Sequence, residues 1–321
     1  MKKLVKLSIF SLLISALVFT SCKEEGDDNT PERTTDPEFQ TLVTYMQEQN
    51  LDLDDVLAGW ITTANDVNEN ADSYYIIDIR ATDAYDAGHI SGAVNSTLGD
   101  ILTTAESADG KPIVVVCYTG QTAGHAVAAL RLSGYTDAKV MKWGMSGWHS
   151  SLSTPWESNV GNAAADGGWI DSPGATVEAT EEYDDPDITE TGTGAEILAA
   201  RVNALLTNGF NGVGNADVLS SPGSYFVNNY WAATDVEHYG NISGAYRINP
   251  LTLAGEEHKF LNPESSVVTY CWTGQTSSVI TAYLYVLGYD AYSLKFGANG
   301  MIYDNLESHK WSTPGTDLPV E

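Results

Sequence analysis

The strongest constraint on the fold is that the chain carries the same set of short segments twice. The hexapeptide GHISGA at 88–93 is matched by GNISGA at 240–245, and CYTGQT at 117–122 is matched by CWTGQT at 271–276, which are offsets of 152 and 154 residues. The pairs LSGY at 132–135 with VLGY at 286–289, and KWG at 142–144 with KFG at 295–297, keep nearly the same spacing. Solenoid repeats are much shorter, so we infer a duplicated domain.

Each copy alternates short apolar runs with helical patterns. In the first copy, SYYIIDI at 73–79, PIVVVCY at 112–118 and AKVMKW at 138–143 predict strands, and 121–133 predicts a helix that ends with Gly134 at its C′ position. Alternation of strands and helices predicts an α/β fold, with a small parallel sheet flanked by helices in each copy. Ligands of such folds bind at the carboxyl ends of strands, where Cys117 lies.

The segment between the copies differs in composition from both of them. Residues 156–195 are rich in Gly, Asp, Glu, Pro and Thr, and they show little apolar periodicity. Their acidic residues lack the spaced ligands and fixed glycine of an EF-hand calcium loop. We therefore expect domains at 39–155 and 196–315, separated by an acidic, Gly-rich linker at 156–195.

The turn after Cys117 has the composition of an anion cradle. Unpaired amide groups at the start of a helix point toward such a residue, and the helix dipole favours negative charge there. Gly120 can adopt the positive φ of a backbone nest, and the hydroxyls of Thr119 and Thr122 can donate. These effects predict a lowered thiol pKa. The alternative is a buried, inert cysteine, but the recurrence of the whole Cys-x-Thr-Gly-Gln-Thr turn favours a chemical role.

The N-terminus predicts export. Three lysines precede an apolar run at 7–19, which is too short to span a membrane and is typical of a signal peptide. The tetrapeptide FTSC at 19–22 resembles a bacterial lipobox, which implies cleavage after residue 21 and lipidation of Cys22. Residues 22–38 would then form an acidic tether on the outer membrane. The run KEEGDD at 23–28 resembles the signals of surface-exposed lipoproteins, and a solvated tether is the alternative interpretation.

Charge and cysteine count limit the partners and the crosslinks. The formal net charge of −28 argues against a nucleic-acid partner, because phosphate binding needs clustered Lys and Arg. If Cys22 carries lipid, only Cys117 and Cys271 of the three cysteines remain. One disulfide between them satisfies the count, but two copies of one motif favour two separate sites.

Taken together, the landmarks resemble those of a tandem rhodanese-like sulfurtransferase, over nearly all of both copies. They are DIR at 78–80, YDAGHISGAVN at 85–95, the loop at 117–122 and, more weakly, WGMSGW at 143–148. The resemblance implies that Cys117 accepts a sulfane sulfur as a persulfide, that Asp78 and Arg80 brace the site, and that no metal or cofactor takes part. The partners would be a small sulfur donor and a thiol or cyanide-like acceptor. Cys271 would be a second catalytic residue, and the binding loops would comprise Tyr118, Thr119, Gly120, Gln121 and Thr122 in the first copy, and Trp272, Thr273, Gly274, Gln275 and Thr276 in the second.

Two features depart from the family pattern. Neither loop contains the Arg or Lys that attracts thiosulfate in many members, so polysulfide or a protein-borne persulfide is an equally good candidate donor. In the second copy we place Asn228-Asn229-Tyr230 opposite residues 78–80, and Asn241 replaces His89. The bracing charges are thus missing, and we rank Cys117 above Cys271, although many tandem relatives keep only the C-terminal cysteine.

Other chemistries fit the sequence less well. A cysteine phosphatase needs an arginine at the seventh loop position, where this chain has Ala123 and Ser277. The six histidines show no metal-ligand spacing. We expect His125 on the helix surface, with contact to a substrate as the alternative, and Arg131 on the helix surface or in an ion pair. The tryptophans 143, 148 and 231 are expected in the core or at its rim. The alternative from another class is a non-catalytic binding or sulfur-carrier module of the cell envelope.

Overall fold

Two parallel sheets organise the protein in the computed structural model, which describes residues 33–321. The predicted signal peptide, Cys22 and most of the predicted tether lie outside the described residues. None of the described helices is both long enough and apolar enough to cross a bilayer.

The first sheet has five strands in the order β1-β5-β4-β2-β3, and every neighbouring pair is parallel. Its strands are β1 Ile61–Thr62, β2 Tyr75–Asp78, β3 Val94–Asn95, β4 Ile113–Val116 and β5 Lys139–Met141. The helices around it are α1 Pro37–Glu48, α2 Leu53–Leu57, α3 Ala64–Glu69, α4 Thr82–Asp86, α5 Ile101–Ala105 and α6 Gln121–Leu132, and a short helix, α7 Thr154–Glu157, follows.

The second sheet repeats this order with four strands, β7-β11-β10-β8, again all parallel. A short strand, β6 Trp169–Ile170, precedes it and pairs antiparallel with β9. The strands of this half are β7 Gly212–Val213, β8 Phe226–Asn229, β9 Asn241–Ile242, β10 Val267–Tyr270 and β11 Ala291–Leu294. Its helices are α8 Gly194–Asn208, α9 Asn215–Ser220, α10 Ala233–Tyr239, α11 Gln275–Val286 and α12 Ala298–Met301. The predicted α/β class, with parallel sheets flanked by helices, is confirmed.

Local sequence explains the elements that position the cysteines. β4 consists of one isoleucine and three valines, all buried, as expected of a central strand covered on both faces. The predicted strands at 73–79 and 138–143 are also present, in shorter form. The helix predicted at 121–133 ends at Leu132, and Gly134 has the positive φ of +98° that a helix C-terminus favours.

Helices α6 and α11, which follow the two cysteine loops, pack directly against each other and share one core. A Cβ atom at Gly124 would lie 2.1 Å from the Ser278 Oγ, so the two helices touch there with no space to spare. This contact covers both helices. His125 is 1% exposed and Arg131 is 3% exposed, so the prediction that they lie on the helix surface is wrong.

The segment at 156–195, predicted to be a linker, makes ordered contacts with both halves, with the second through the pairing of β6 with β9. Trp156 is fully buried, and its indole Nε1 donates to the Thr119 carbonyl oxygen at 3.2 Å. Asp185 accepts from Gln40 Nε2 at 2.7 Å and forms an ion pair with Arg33. The segment is therefore anchored by specific contacts, although it is acidic. Its low apolar periodicity did not predict these contacts.

Candidate functional site

Cys117 immediately follows β4, which lies between β5 and β2, and it is therefore at the carboxyl end of a central strand. Gly120 takes the left-handed conformation, with φ of +81°, and starts α6 at the next residue. The thiol is 6% exposed. Cys271 occupies the same place after β10, and Gly274 repeats the turn with φ of +74°. Both thiols are free, so the interpretation as two separate cysteines agrees with the structure.

Backbone amides surround the sulfur of Cys117. The amide nitrogens of Gly120 and Ala123 donate to the Sγ at 3.2 and 3.4 Å. The hydroxyl of Thr119 instead accepts from the Gln121 Nε2 at 3.2 Å. The predicted cradle thus exists, but its two hydrogen bonds come from the backbone and extend one residue beyond the hexapeptide.

The predicted lowering of the thiol pKa is wrong in its net direction. Burial raises the pKa of Cys117, the backbone amides of residues 123, 119 and 120 oppose that effect, and the Asp78 carboxylate raises it further. Desolvation of a charged thiolate outweighs the amide dipoles here. The sequence does not show how deeply the loop is covered, so the effect of burial could not be predicted from it.

Asp78 and Arg80 form the brace that the resemblance implied. The Arg80 Nη2 donates to the Asp78 Oδ2 at 2.6 Å and to the Gly88 carbonyl oxygen at 2.7 Å, and both side chains are buried. The guanidinium carbon lies 5.3 Å from the centre of the Tyr118 ring. Arg80 is therefore paired with Asp78 and joins the landmark at 85–95 to the cysteine loop, while its Nη1 has no hydrogen-bond partner among the described residues.

A second turn covers the loop from the β5 side. The amide nitrogens of Met145 and Ser146 donate to the carbonyl oxygens of Cys117 and Tyr118 at 2.8 and 3.0 Å. A Cβ atom at Gly144 would lie 2.3 Å from the Cys117 carbonyl oxygen, so only glycine allows this approach. The landmark at 143–148 therefore has a structural basis: it fixes the carbonyl side of the cysteine loop.

The second loop has a different environment around its sulfur. The Ser277 amide nitrogen donates to the Cys271 Sγ at 3.3 Å, and the thiol lies 3.6 Å from the Ser277 Oγ. That hydroxyl is 2.7 Å from the Ser293 Oγ. Ser277 stands at the seventh loop position, where the first copy has Ala123, and it adds a hydroxyl contact that the first site lacks.

The register that we assigned to the second copy is wrong by one residue. Asp78 pairs with the residue before Cys117, and Asn229 pairs with the residue before Cys271, so Asn229 is the counterpart of Asp78. The Trp231 amide nitrogen donates to the Asn229 Oδ1 at 3.1 Å, as that of Arg80 does to the Asp78 Oδ1 at 3.0 Å. Consecutive asparagines in β8 obscured this match. The conclusion that both bracing charges are missing stands.

Aromatic rings take the place of the brace in the second half. Trp231, the counterpart of Arg80, stacks on Trp272 with ring centres 4.3 Å apart, and His309 stacks on the other face of Trp272 at 5.2 Å. Tyr118, the counterpart of Trp272, is 38% exposed. The ring beside Cys271 is therefore half-buried, whereas the ring beside Cys117 is exposed.

The loop glutamines reach across to the opposite half. The Gln275 Nε2 donates to the Thr119 carbonyl oxygen at 3.2 Å, and the Gln121 Oε1 accepts from the Phe296 amide nitrogen at 2.9 Å. Thr122 and Thr276 are half-buried, and the Thr273 Oγ1 accepts from the Gln275 amide nitrogen at 3.2 Å. Of the predicted loop residues, the two glutamines thus connect the halves.

Comparison with known proteins agrees with the geometry of the first half. Residues 63–151 match the model of the rhodanese-like domain. The thiosulfate sulfurtransferase GlpE of Shewanella oneidensis is 35% identical over 82 residues, which are 25% of this chain and 81% of that protein. The protein of the same name from Pseudomonas entomophila is 34% identical over 96 residues, which are 29% and 84% of the two chains.

The solved structures that match this chain have lower sequence identity to it. A thiosulfate sulfurtransferase from Pseudomonas aeruginosa is 14% identical, with a TM-score of 0.29, and the match covers 87% of this chain and 49% of that one. On the evidence of the curated relatives and the family model, the chain belongs to the rhodanese-like family.

Proposed function

We propose that the protein is a sulfurtransferase that carries a sulfane sulfur on Cys117. The observation that carries this proposal is the position of its thiol, within a rhodanese-like segment, at the end of a central strand and in contact with two inward-pointing amides. The Cys117 thiolate attacks the outer sulfur of a donor. A new S–S bond forms, the donor's bond to that sulfur breaks, and its electron pair leaves with sulfite or a thiolate. An acceptor thiolate or cyanide then takes the outer sulfur and releases the Cys117 thiolate.

The cradle supports the loaded state of this cycle more than the free thiolate. A persulfide extends one sulfur atom beyond the buried Sγ and carries its negative charge on that outer atom. Partial charges of the amides and of the α6 N-terminus favour an anion there. We therefore expect the persulfide to be a stable intermediate of the protein.

The donor that we propose is polysulfide or a protein-borne persulfide, with thiosulfate as the comparison. The loop carries no cationic side chain, and Arg80 is already bound to Asp78. A dianion such as thiosulfate would therefore enter a strongly acidic protein without a dedicated cation. A donor with less negative charge would meet less electrostatic repulsion.

For the second half, a specific observation favours a non-catalytic role in binding or sulfur carriage. Cys271 is 2% exposed, its neighbour Trp272 is stacked on both faces, and the bracing ion pair is missing. A tandem pair of rhodanese-like domains with one working site is the arrangement that we propose.

We also propose that Cys22 carries a lipid that anchors the protein to the outer membrane. The support is the sequence at 1–28 alone. Mass spectrometry of the N-terminal peptide from membrane fractions, compared with Cys22→Ser, tests this idea. An unmodified Cys22 in the mature protein would contradict it.

Intact-mass analysis after exposure to polysulfide or thiosulfate tests the transfer. We expect a reductant-reversible gain of one sulfur atom in the parent and in Cys271→Ser, and no gain in Cys117→Ser. Loading by polysulfide in preference to thiosulfate would support the argument from charge. If the folded parent takes up sulfur from neither donor, the catalytic proposal fails and a binding module replaces it.

A further inference from the structure

We propose that Gln275, a residue of the second half, is a positioning residue for the sulfur site at Cys117. The proposal rests on the proposed function, because it gives Cys117 a chemical role. In this proposal, the loop at 271–276 holds the loop at 117–122 in its working conformation through Gln275, without the participation of Cys271.

The connection runs through one peptide unit. The Gln275 Nε2 donates to the carbonyl oxygen of Thr119 at 3.2 Å. The N–H of the same peptide bond belongs to Gly120, and it donates to the Cys117 Sγ at 3.2 Å. A trans peptide is planar, with its carbonyl and N–H pointing in opposite directions, so an anchor on the oxygen fixes the direction of the N–H.

Both anchors of this peptide come from outside residues 39–155. Besides Gln275, the indole Nε1 of Trp156 donates to the Thr119 carbonyl oxygen at 3.2 Å. Trp156 belongs to the segment between the copies. Two donors on one carbonyl also polarise the peptide, which strengthens its N–H as a donor to the sulfur.

The fit around Gln275 is close, and it leaves one polar atom without a partner. The side chain is 1% exposed, and a Cβ atom at Gly120 would lie 1.9 Å from its Nε2. The Gln275 Oε1 is buried and has no hydrogen-bond partner among the described residues. An unsatisfied buried polar group destabilises the folded state, so its retention calls for an explanation. The contact with Thr119 supplies one.

The charged groups that face Cys117 act separately from this contact. The charge that acts on Cys117 is the Asp78 carboxylate, which is itself paired with Arg80. Within residues 33–321, neither forms a hydrogen bond with Gln275. A substitution at position 275 therefore changes the sulfur site through the peptide between Thr119 and Gly120, not through the ion pair.

The test compares Gln275→Met with Trp156→Phe and a control on the same helix. Methionine keeps the volume of glutamine and removes the donor, and phenylalanine removes the indole N–H. Thr281→Val is the matched control, because its buried hydroxyl forms no hydrogen bond within the described residues. The readout is the titration of Cys117, followed by ultraviolet thiolate absorbance in a Cys271→Ser background, with the spectrum of the variant that also carries Cys117→Ser subtracted.

We expect the titration midpoint of Cys117 to rise by roughly one pH unit in Gln275→Met, because the Gly120 N–H loses part of its orientation toward the thiolate and a hydrogen bond to a charged group contributes on the order of one pKa unit. A smaller rise is expected in Trp156→Phe and none in Thr281→Val. The pH profile of persulfide loading should move with the midpoint. An unchanged midpoint in both donor variants, with both folded, overturns the proposal. If Gln275→Met fails to fold, Trp156→Phe alone decides.

Failure of this inference is distinguishable from failure of the proposed function. If the parent does not take up sulfur, the function fails, but the thiolate titration still reports on Gln275. If the parent loads and the donor variants keep the same midpoint and pH profile, the function stands and the positioning role is lost.

Discussion

At the scale of single residues, the buried pair of Asp78 and Arg80 allows an energetic test against the chain's own second copy. Arg80→Trp alone leaves the Asp78 carboxylate buried without its cation, which should lower the free energy of unfolding by about 3–5 kcal/mol. The double variant Asp78→Asn/Arg80→Trp introduces the residues found at Asn229 and Trp231. It removes the unpaired charge, and we expect it to recover part of the loss. Urea denaturation of the three proteins measures this.

The double variant also separates charge from shape. Trp231 packs against a tryptophan, whereas the new residue at position 80 would meet the ring of Tyr118. If the double variant is as unstable as Arg80→Trp, the loss comes from packing and not from the carboxylate. Persulfide loading of the double variant then shows whether the brace is needed for chemistry or for folding alone.

At the scale of elements, helix α6 carries a histidine in a position that is costly to protonate. Burial lowers the pKa of His125 to about 4, and the nearby Leu205 carbonyl offsets this only in part. The unfolded chain titrates near pH 6.5, so between pH 6.5 and 4 it binds more protons than the folded protein. Stability therefore falls as the pH falls through that window, by up to about 3 kcal/mol for this residue.

His125→Val, which copies the counterpart Val279, removes this contribution. We expect its free energy of unfolding to fall less steeply than that of the parent between pH 6.5 and 4. His258, whose pKa burial also lowers to about 4, still contributes in the variant. Denaturation at several pH values measures the two slopes, and parallel slopes would contradict the assignment.

Helix α6 and the strand before it show which features of an element can be predicted from the sequence and which cannot. The apolar run in β4 and the glycine after α6 are local signals, so strand and helix could be predicted with near-correct ends. The burial of Arg131 could not, because it depends on distant segments. Its Nε donates to the Ala138 carbonyl oxygen at 2.7 Å and its Nη1 to that of Ala58 at 2.7 Å. A buried arginine satisfied by carbonyl groups looks like a surface arginine in the sequence.

At the scale of the whole molecule, the site is assembled from parts that the sequence places far apart. Cys117, Gly120 and the pair at 78 and 80 follow from local motifs. Gln275 reaches the loop only because the two halves pack together, and Trp156 reaches it from the segment between the copies. Neither sequence motif predicts that contact. When each copy is considered in isolation, its loop glutamine is predicted to bind substrate.

The contact between α6 and α11 is therefore expected to control stability and the site at the same time. In Gly124→Val the added side chain meets the Ser278 Oγ and the Gln275 carbonyl oxygen, which lie 2.1 and 3.0 Å from the position of a Cβ atom. Overpacking of this kind costs about 1–3 kcal/mol. Because one apolar core spans both halves, unfolding should remain a single transition with a lower midpoint.

Ser278→Ala supplies the matched second change for a double-mutant cycle. It removes the nearer of the two clashing atoms but leaves the carbonyl oxygen, so it should restore only part of the stability of Gly124→Val. In the parent, the Ser278 Oγ donates to the Gln275 carbonyl oxygen at 2.7 Å, so Ser278→Ala alone removes a hydrogen bond. The change in the free energy of unfolding caused by Ser278→Ala must therefore be more favourable in the Gly124→Val protein than in the parent. Additive effects, or two separate unfolding transitions, would show that the halves are not coupled through this contact.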